Sequence, residues 1–298
     1  MNDGNAGHPA GSTTWHATWE VARKEVLQHI RTKRLLIISG LIIVALGMIT
    51  LVFGPRIARD IGDFGFGDGT ALENLLLSVF FQFFGLVFIQ LLPIVLTADA
   101  VCSEWSSRTI FLLLSKPVSR TAFVLGKYLG SLLTVVVTLV ILLGLDYLIM
   151  QPLYAGSPSA DDVLGFVKFL GFLCVGCAAL AALALFFSTV TRSTAIAILI
   201  TLGVWLVGFS LIGFVGDILN IGRSDPNEDL AMAFHYANPG FDMGLAVGFL
   251  VPDSGADGFT GAPAEGGPSP TIALLALLGH VVVWFSGALL IVRKRNFE

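Results

Sequence analysis

Six long apolar runs constrain this chain more than any other feature. They cover about 35–53, 75–97, 122–145, 163–187, 194–216 and 272–292. Each is long enough to cross the ~30 Å hydrocarbon layer of a bilayer as a helix rising about 1.5 Å per residue. Lipid offers backbone amides no partners, so helices with internal hydrogen bonds are the only reasonable form for such runs. Only 13% of the residues are charged, against about 25% in an ordinary soluble domain. The predicted fold class is an all-α integral membrane protein with six transmembrane helices. The connectors leave no room for a second soluble domain of normal size.

The basic residues supply an orientation. With the two ends and alternate connectors taken as one face, thirteen of the 17 Lys and Arg residues lie there, among them Arg23, Lys24, Arg31, Arg108, Lys116, Arg120, Lys127 and Arg293. Only Arg56, Arg59, Lys168 and Arg223 lie on the other. The positive-inside rule therefore predicts a multi-pass protein of the cell membrane with both termini cytoplasmic. The opposite connectors carry the acidic surplus, including Asp60, Asp161, Asp162, Asp225 and Asp253. Residues 1–14 are small and polar and read as disordered. About twenty amphipathic residues then precede the first run, which is read as a retained span rather than a cleaved leader. The division is thus 1–34 for tail and interfacial helix, and 35–298 for the six-span domain.

In residues 15–34, Trp15, Trp19, Ala22, Val26 and Ile30 recur at helical spacing, while Arg23 and Lys24 lie elsewhere on the wheel. That pattern predicts an interfacial helix, with tryptophans at headgroup depth and cations towards anionic lipid. Between the second and third runs, Thr109–Leu114 reads as a short helix with an apolar face. Pro117 ends it, and Ser119 or Thr121 can cap the next helix. A short rigid helix on the cytoplasmic face suits docking to another protein, with the plainer reading a basic membrane-surface loop.

The connector residues Glu104, Arg108, Thr109, Leu112–Ser115, Lys116, Pro117, Val118, Ser119, Arg120 and Lys127 resemble the E-x-x-x-G-T…L-L-S-x-P-V-S-R…K signature of ABC type-2 permeases, and most nearly the permease group of the nitrous-oxide-reductase maturation exporter. Arg108 departs from it, standing where the family commonly has glycine. The resemblance implies a permease subunit of an ATP-driven exporter. It would pair with a second permease copy, as a homodimer or heterodimer, and bind two separate ATPase subunits. Glu104, Arg108, Thr109, Ser115, Lys116, Pro117 and Arg120 would then form the coupling site. No G-x-x-x-x-G-K-[ST] phosphate loop occurs in the chain, so ATP and Mg²⁺ would be held by the partner. The chain itself is expected to bind no cofactor and no nucleic acid.

The connector 217–271 is expected to hold two short outer helices, 228–237 and 241–251, split at Asn238-Pro239-Gly240. Pro239 drives Asn238 away from helical angles, and Gly240 permits a reversal. The resemblance makes these three an outer gate; the plainer reading is a passive surface loop. Gln82, Phe84, Gln90, Trp205 and Phe209 are candidate pathway residues, the pathway being expected between two copies. Gly126 and Gly130 fit the G-x-x-x-G pattern of close helix approach. His280 is the one ionisable residue near the middle of a run, and a structural hydrogen bond suits it better than a ligand role. Cys174-x-x-Cys177 lies within an apolar run and reads as small packing residues. Met232, His235 and Met243 are soft-metal donors in type, but no metal site is expected. Two other classes stay open. An intramembrane enzyme built on Glu104, Arg108 and His280 has poor geometry, since Glu104 is in a connector and His280 in a span. A non-transporting membrane anchor would fail to stimulate an ATPase.

Overall fold

The computed structural model describes residues 10–57, 87–106, 119–150, 152–153, 157–220, 233–245 and 269–294. Among them the chain is helical, with no strand. The helices are α1 (Ala10–Arg31), α2 (Lys33–Ile57), α3 (Phe88–Thr97), α4 (Cys102–Ser106), α5 (Arg120–Met150), α6 (Ala160–Val190), α7 (Thr194–Gly203), α8 (Ser210–Asn220), α9 (Pro239–Gly244) and α10 (Pro270–Lys294). A π-helical stretch, Val204–Phe209, joins α7 to α8 without a break.

Among the described residues, four segments are long and apolar enough to cross a membrane: Arg120–Ile149, Ala160–Val190, Thr194–Ile212 and Pro270–Lys294. The first predicted run forms α2. Of the second, α3 lies within the described residues and most of the remainder outside them. The helices overrun the apolar runs at both ends because their first and last turns are polar. At α6, the hydroxyl of Ser159 accepts a hydrogen bond from the Asp162 amide at 3.2 Å, and the Asp162 carboxylate accepts one from the Ser159 amide at 2.8 Å. This capping box satisfies two of the orphan donors at a helix start. At the other end of the chain, Arg120 donates to the carbonyls of Val292 and Arg293, at 3.5 and 3.3 Å. It thereby satisfies the exposed C-terminal carbonyls of α10 and complements their dipole.

α6 is the axis of the bundle. Most of its residues from Phe169 to Thr189 are buried, and α3, α5, α7, α9 and α10 all pack on it. Its buried part is rich in alanine (Ala179, Ala181, Ala182, Ala184). Small side chains let neighbouring helices approach closely, the usual route to helix association where lipid removes the hydrophobic drive. Gly287 on α10 does the same against Phe186, whose ring lies 2.9 Å from where a Cβ at that glycine would sit. The outward faces of α2, α5 and α10 carry Leu, Ile and Val exposed to the surroundings. Those faces suit lipid rather than water.

The first helix differs from expectation. It begins at Ala10, inside the tail read as disordered, and only Thr32 separates it from α2. It also does more than lie on a surface, because it is docked along α5.

Candidate functional site

The docking of α1 on α5 follows from two glycines. A Cβ at Gly126 would stand 2.7 Å from the carbonyl oxygen of Thr18, and one at Gly130 would stand 2.6 Å from that of Ala22. Four residues apart, these glycines share one face of α5 and leave a bare strip of backbone. Thr18, Ala22, Glu25 and His29 form the matching buried face of α1. Trp15, Trp19 and Ile30 remain exposed beside it, and Arg23 and Lys24 lie on the far side.

Between the two helices sits a cluster of charges. Lys127 is 1% exposed, Glu25 1% and Glu104 6%. The Lys127 ammonium donates to the Glu25 carboxylate at 2.6 Å and to the Glu104 carboxylate at 3.1 Å. Lys24, whose side chain is 52% exposed, reaches the same Glu104 oxygen at 3.1 Å from the water side. His29 Nε2 lies 3.2 Å from the Ser131 hydroxyl and 3.5 Å from Glu25. Ions this far from water are tolerable only when each is paired and hydrogen-bonded. Burial would push the Glu25 carboxyl up, but His29 and Lys127 outweigh it and hold it below the ordinary carboxylate range. The Phe123 ring adds its face to Lys127 at 5.9 Å, a favourable cation–π separation.

Ser131, His29 and Glu25 are the residue types of a hydrolytic triad, but the geometry is not that of one. Both contacts come from His29 Nε2, whereas a triad orients its base through the opposite ring nitrogen. Ser131 is also fully buried. Glu104 and His280, the other pair considered for catalysis, have separate partners. His280 faces the carbonyls of Ala276 and Ala237 at 2.9 and 3.2 Å and meets the edge of Phe209. Its placement is that of a structural hydrogen bond.

Glu104 belongs to the short helix α4, whose start is held from three sides. Ser188 on α6 accepts from the amides of Val101 and Cys102 at 3.0 and 3.1 Å. Arg34, at the start of α2, pairs with Asp99. The Cys102 thiol donates to the Ala98 carbonyl at 3.1 Å. Read from the sequence, Glu104 was expected to face a partner protein, yet it turns inward to two lysines. Arg120, expected in the same coupling site, donates to the carbonyls at the end of α10. Arg108, Thr109, Ser115, Lys116 and Pro117 lie outside the described residues. Sequence reasoning missed Glu25 and His29, and it named Lys127 only as the last residue of the signature, not as the partner of two carboxylates. Glu25 and His29 did carry a local signal, an ionisable pair at i,i+4 on the same wheel face as Thr18 and Ala22.

The opposite part of the bundle is organised by α9. Asn238 is extended (φ −105°, ψ 104°) and caps the helix, its side-chain oxygen accepting from the amides of Gly240 at 2.9 Å and Phe241 at 3.4 Å. Pro239 occupies the first helical position, as its fixed φ favours. Gly240 is helical, not a left-handed reversal. Its role is close approach: a Cβ there would lie 3.1 Å from Asn238 Oδ1, 3.4 Å from Gln90 Oε1 and 3.6 Å from Trp205 Nε1. Gln90, Trp205 and Phe209 are buried inside a single chain; Gln82 and Phe84 lie outside the described residues. Met243 seats α9 on α6, its Cγ only 2.3 Å from where a Cβ at Gly176 would be. The amide of Ser269 donates to the Tyr236 hydroxyl at 2.6 Å and ties the start of α10 to this segment. Gly176 and Ser188 are about 18 Å apart along α6 at 1.5 Å per residue, so the α9 region and the charge cluster occupy different levels of the bundle. Cys102, Cys174 and Cys177 are all free thiols, and no cluster of metal-binding side chains occurs among the described residues.

A bundle of membrane-length helices, with an N-terminal helix ion-paired to the connector that follows α3, defines a helical membrane protein. The family model of the ABC-2 family transporter proteins matches residues 19–290. The chain belongs to that family of ABC transporter permeases. It is also 30% identical over 164 residues to a probable ABC transporter permease protein, NosY, of Pseudomonas aeruginosa. That alignment covers 55% of this chain and 56% of the relative, so the chain spans about half the length of the curated relative it matches.

Proposed function

We propose that this permease is the membrane half of an ATP-driven exporter. It crosses the cell membrane six times with both termini in the cytoplasm and pairs with a second copy. Two separate ATPase subunits hold the ATP and Mg²⁺ and dock on the connector at residues 107–118. The cluster Glu25–Lys127–Glu104–Lys24 is the observation that carries this reading. The helix that leads into the connector is bonded through Glu104 to α5 and α1 together. A displacement of the connector by a closing ATPase dimer is thus passed to two helices at once, through charge-assisted bonds that are stronger than neutral ones. Glu104 acts in this scheme as an internal strut, while Arg108 and Lys116 are the docking residues. Trp15 and Trp19, exposed beside Arg23 and Lys24, hold α1 at the headgroup level of an anionic leaflet. Asn238, Pro239 and Gly240 position α9 as an outer gate.

The test is reconstitution with an ABC ATPase subunit from the same organism. The wild type is expected to retain that ATPase through purification and to stimulate its turnover. Arg108→Glu with Lys116→Glu should abolish retention while the helical content by circular dichroism stays unchanged. Full retention and stimulation by the double variant would overturn the docking assignment. A wild-type chain that never raises ATPase turnover would instead leave an anchor, not a transporter.

A further inference from the structure

We propose that Asp242 is a proton-binding site: its carboxyl carries a proton while α9 lies seated on α6, and releases it when α9 lifts away. The inference stands on the packing of α9 and does not require the transport reading above. Asp242 is 0% exposed, and neither of its carboxyl oxygens has a hydrogen-bond partner. It shares the buried face of α9 with Pro239 and Met243, three residues before and one after. Met243 is the side chain that presses onto Gly176, so this is the docked face of the helix.

Among the described residues, the surroundings supply no counter-charge. α6 brings the thiols of Cys174 and Cys177 to this level, and its Lys168 is exposed two turns away. α10 brings His280, which is turned to the carbonyls of Ala276 and Ala237. The π-helical stretch brings the Trp205 indole, and α3 brings the uncharged amide of Gln90. In the preceding segment, His235 stacks on Phe241, and Tyr236 accepts from Ser269. No ion pair among the described residues involves Asp242. An ionised carboxylate enclosed this way is strongly disfavoured, and the group takes up a proton instead.

The sign of the linkage follows. Burial pushes the Asp242 carboxyl from its ordinary 3.8 up to about 8. A proton is therefore taken up on docking at neutral pH. Docking is fully favoured below about 3.8, weakens about tenfold per pH unit above that, and levels off beyond about 8. Acidic water on that side of the membrane keeps α9 seated, and alkaline water frees it.

The experiment measures hydrogen exchange across residues 239–244 in the full chain in nanodiscs, from pH 5 to 9, for the wild type and Asp242→Asn. Dividing one by the other at each pH removes the intrinsic chemistry of exchange. The ratio is expected to climb about tenfold per pH unit and to flatten near pH 8. A ratio constant across the range would overturn the proposal. Infrared difference spectroscopy provides an arm that does not depend on the variant folding. The wild type at pH 6 should show the carbonyl stretch of a protonated carboxylic acid, bleaching as pH rises through about 8. Asp242→Glu should shift that band and keep its titration. Absence of a titrating carboxylic-acid band in the wild type would sink the assignment even if exchange varied with pH.

Discussion

Replacing Lys127 with methionine removes the one ammonium that touches both buried carboxylates of the cluster. Lys127 and Glu25 are each 1% exposed and 2.6 Å apart. Truncating one member of such a pair strands a charge and costs about 3–5 kcal/mol. Glu104 retains Lys24 at 3.1 Å, so most of the loss falls on Glu25, whose remaining partner is His29. The local equilibrium between docked and released α1 should therefore move by two to three powers of ten, at about 1.4 kcal/mol each. Native-state trypsin cleavage at Arg23, Lys24 and Arg31 reads that equilibrium, because proteolysis of a transiently opened segment tracks its population. Adding Glu25→Gln to Lys127→Met removes the stranded charge. The pair should then show a coupling of at least about 1.4 kcal/mol, within the range for residues in contact. Additive effects of the two substitutions would refute the clamp. The same reasoning fixes a pH dependence. His29 and Lys127 hold Glu25 below its ordinary value of 4.5, so the stability it lends α1 is fully present above 4.5 and is lost as pH falls through the lower, docked value. Hydrogen exchange over residues 18–30, relative to intrinsic rates, should rise as pH falls below about 4.5.

Two further outcomes are expected. Gly130→Val places a branched side chain where even a Cβ would be 2.6 Å from the Ala22 carbonyl, and overpacking of this kind costs about 1–3 kcal/mol; release of α1 in the trypsin assay without loss of helical content would bear it out, and unchanged cleavage would refute it. Gly240→Val crowds Asn238, Gln90 and Trp205 and should lower cargo-stimulated ATPase turnover while complex assembly persists, whereas deletion of Asp253–Gly266 should be tolerated; equal tolerance of both in a reconstituted transport assay would show that the α9 region is not a gate.

Much of the fold was legible because hydrophobicity reports directly on helices that must satisfy their own backbone in lipid. Among the described residues, four of the runs reappear as membrane-length helices, extended by polar turns such as Ser159–Asp162 and Arg293–Lys294 that escape a hydropathy count. The G-x-x-x-G pattern at Gly126 and Gly130 was also legible as a close approach, although its partner proved to be α1. The burial of Lys127 was not, since a basic residue near a run's end is equally consistent with a headgroup contact. Only the arrival of Glu25 and Glu104 distinguishes the two, and pairings between distant segments leave no local pattern. The π-helical stretch was hidden for a related reason: Val204–Phe209 has ordinary helical composition, and the widened turn is visible only in three dimensions, where Trp205 and Phe209 both face the core. Gly240 was read through its backbone freedom, when the neighbours crowding it were the cause.

The distance in sequence between the two halves of the clamp has a consequence for biogenesis. Glu25 and Lys127 are 102 residues apart. At about 5–20 residues per second, a ribosome needs on the order of 5–20 s to progress from one to the other. Throughout that interval α1 has emerged with Glu25 lacking Lys127 and His29 lacking Ser131, while the hydrophobic segments behind it are already entering the bilayer. The N-terminal helix must therefore wait in water or at the headgroups, and it locks down only when the segment bearing Lys127 has been inserted. Its docking therefore marks the insertion of α5, the helix that bears Lys127.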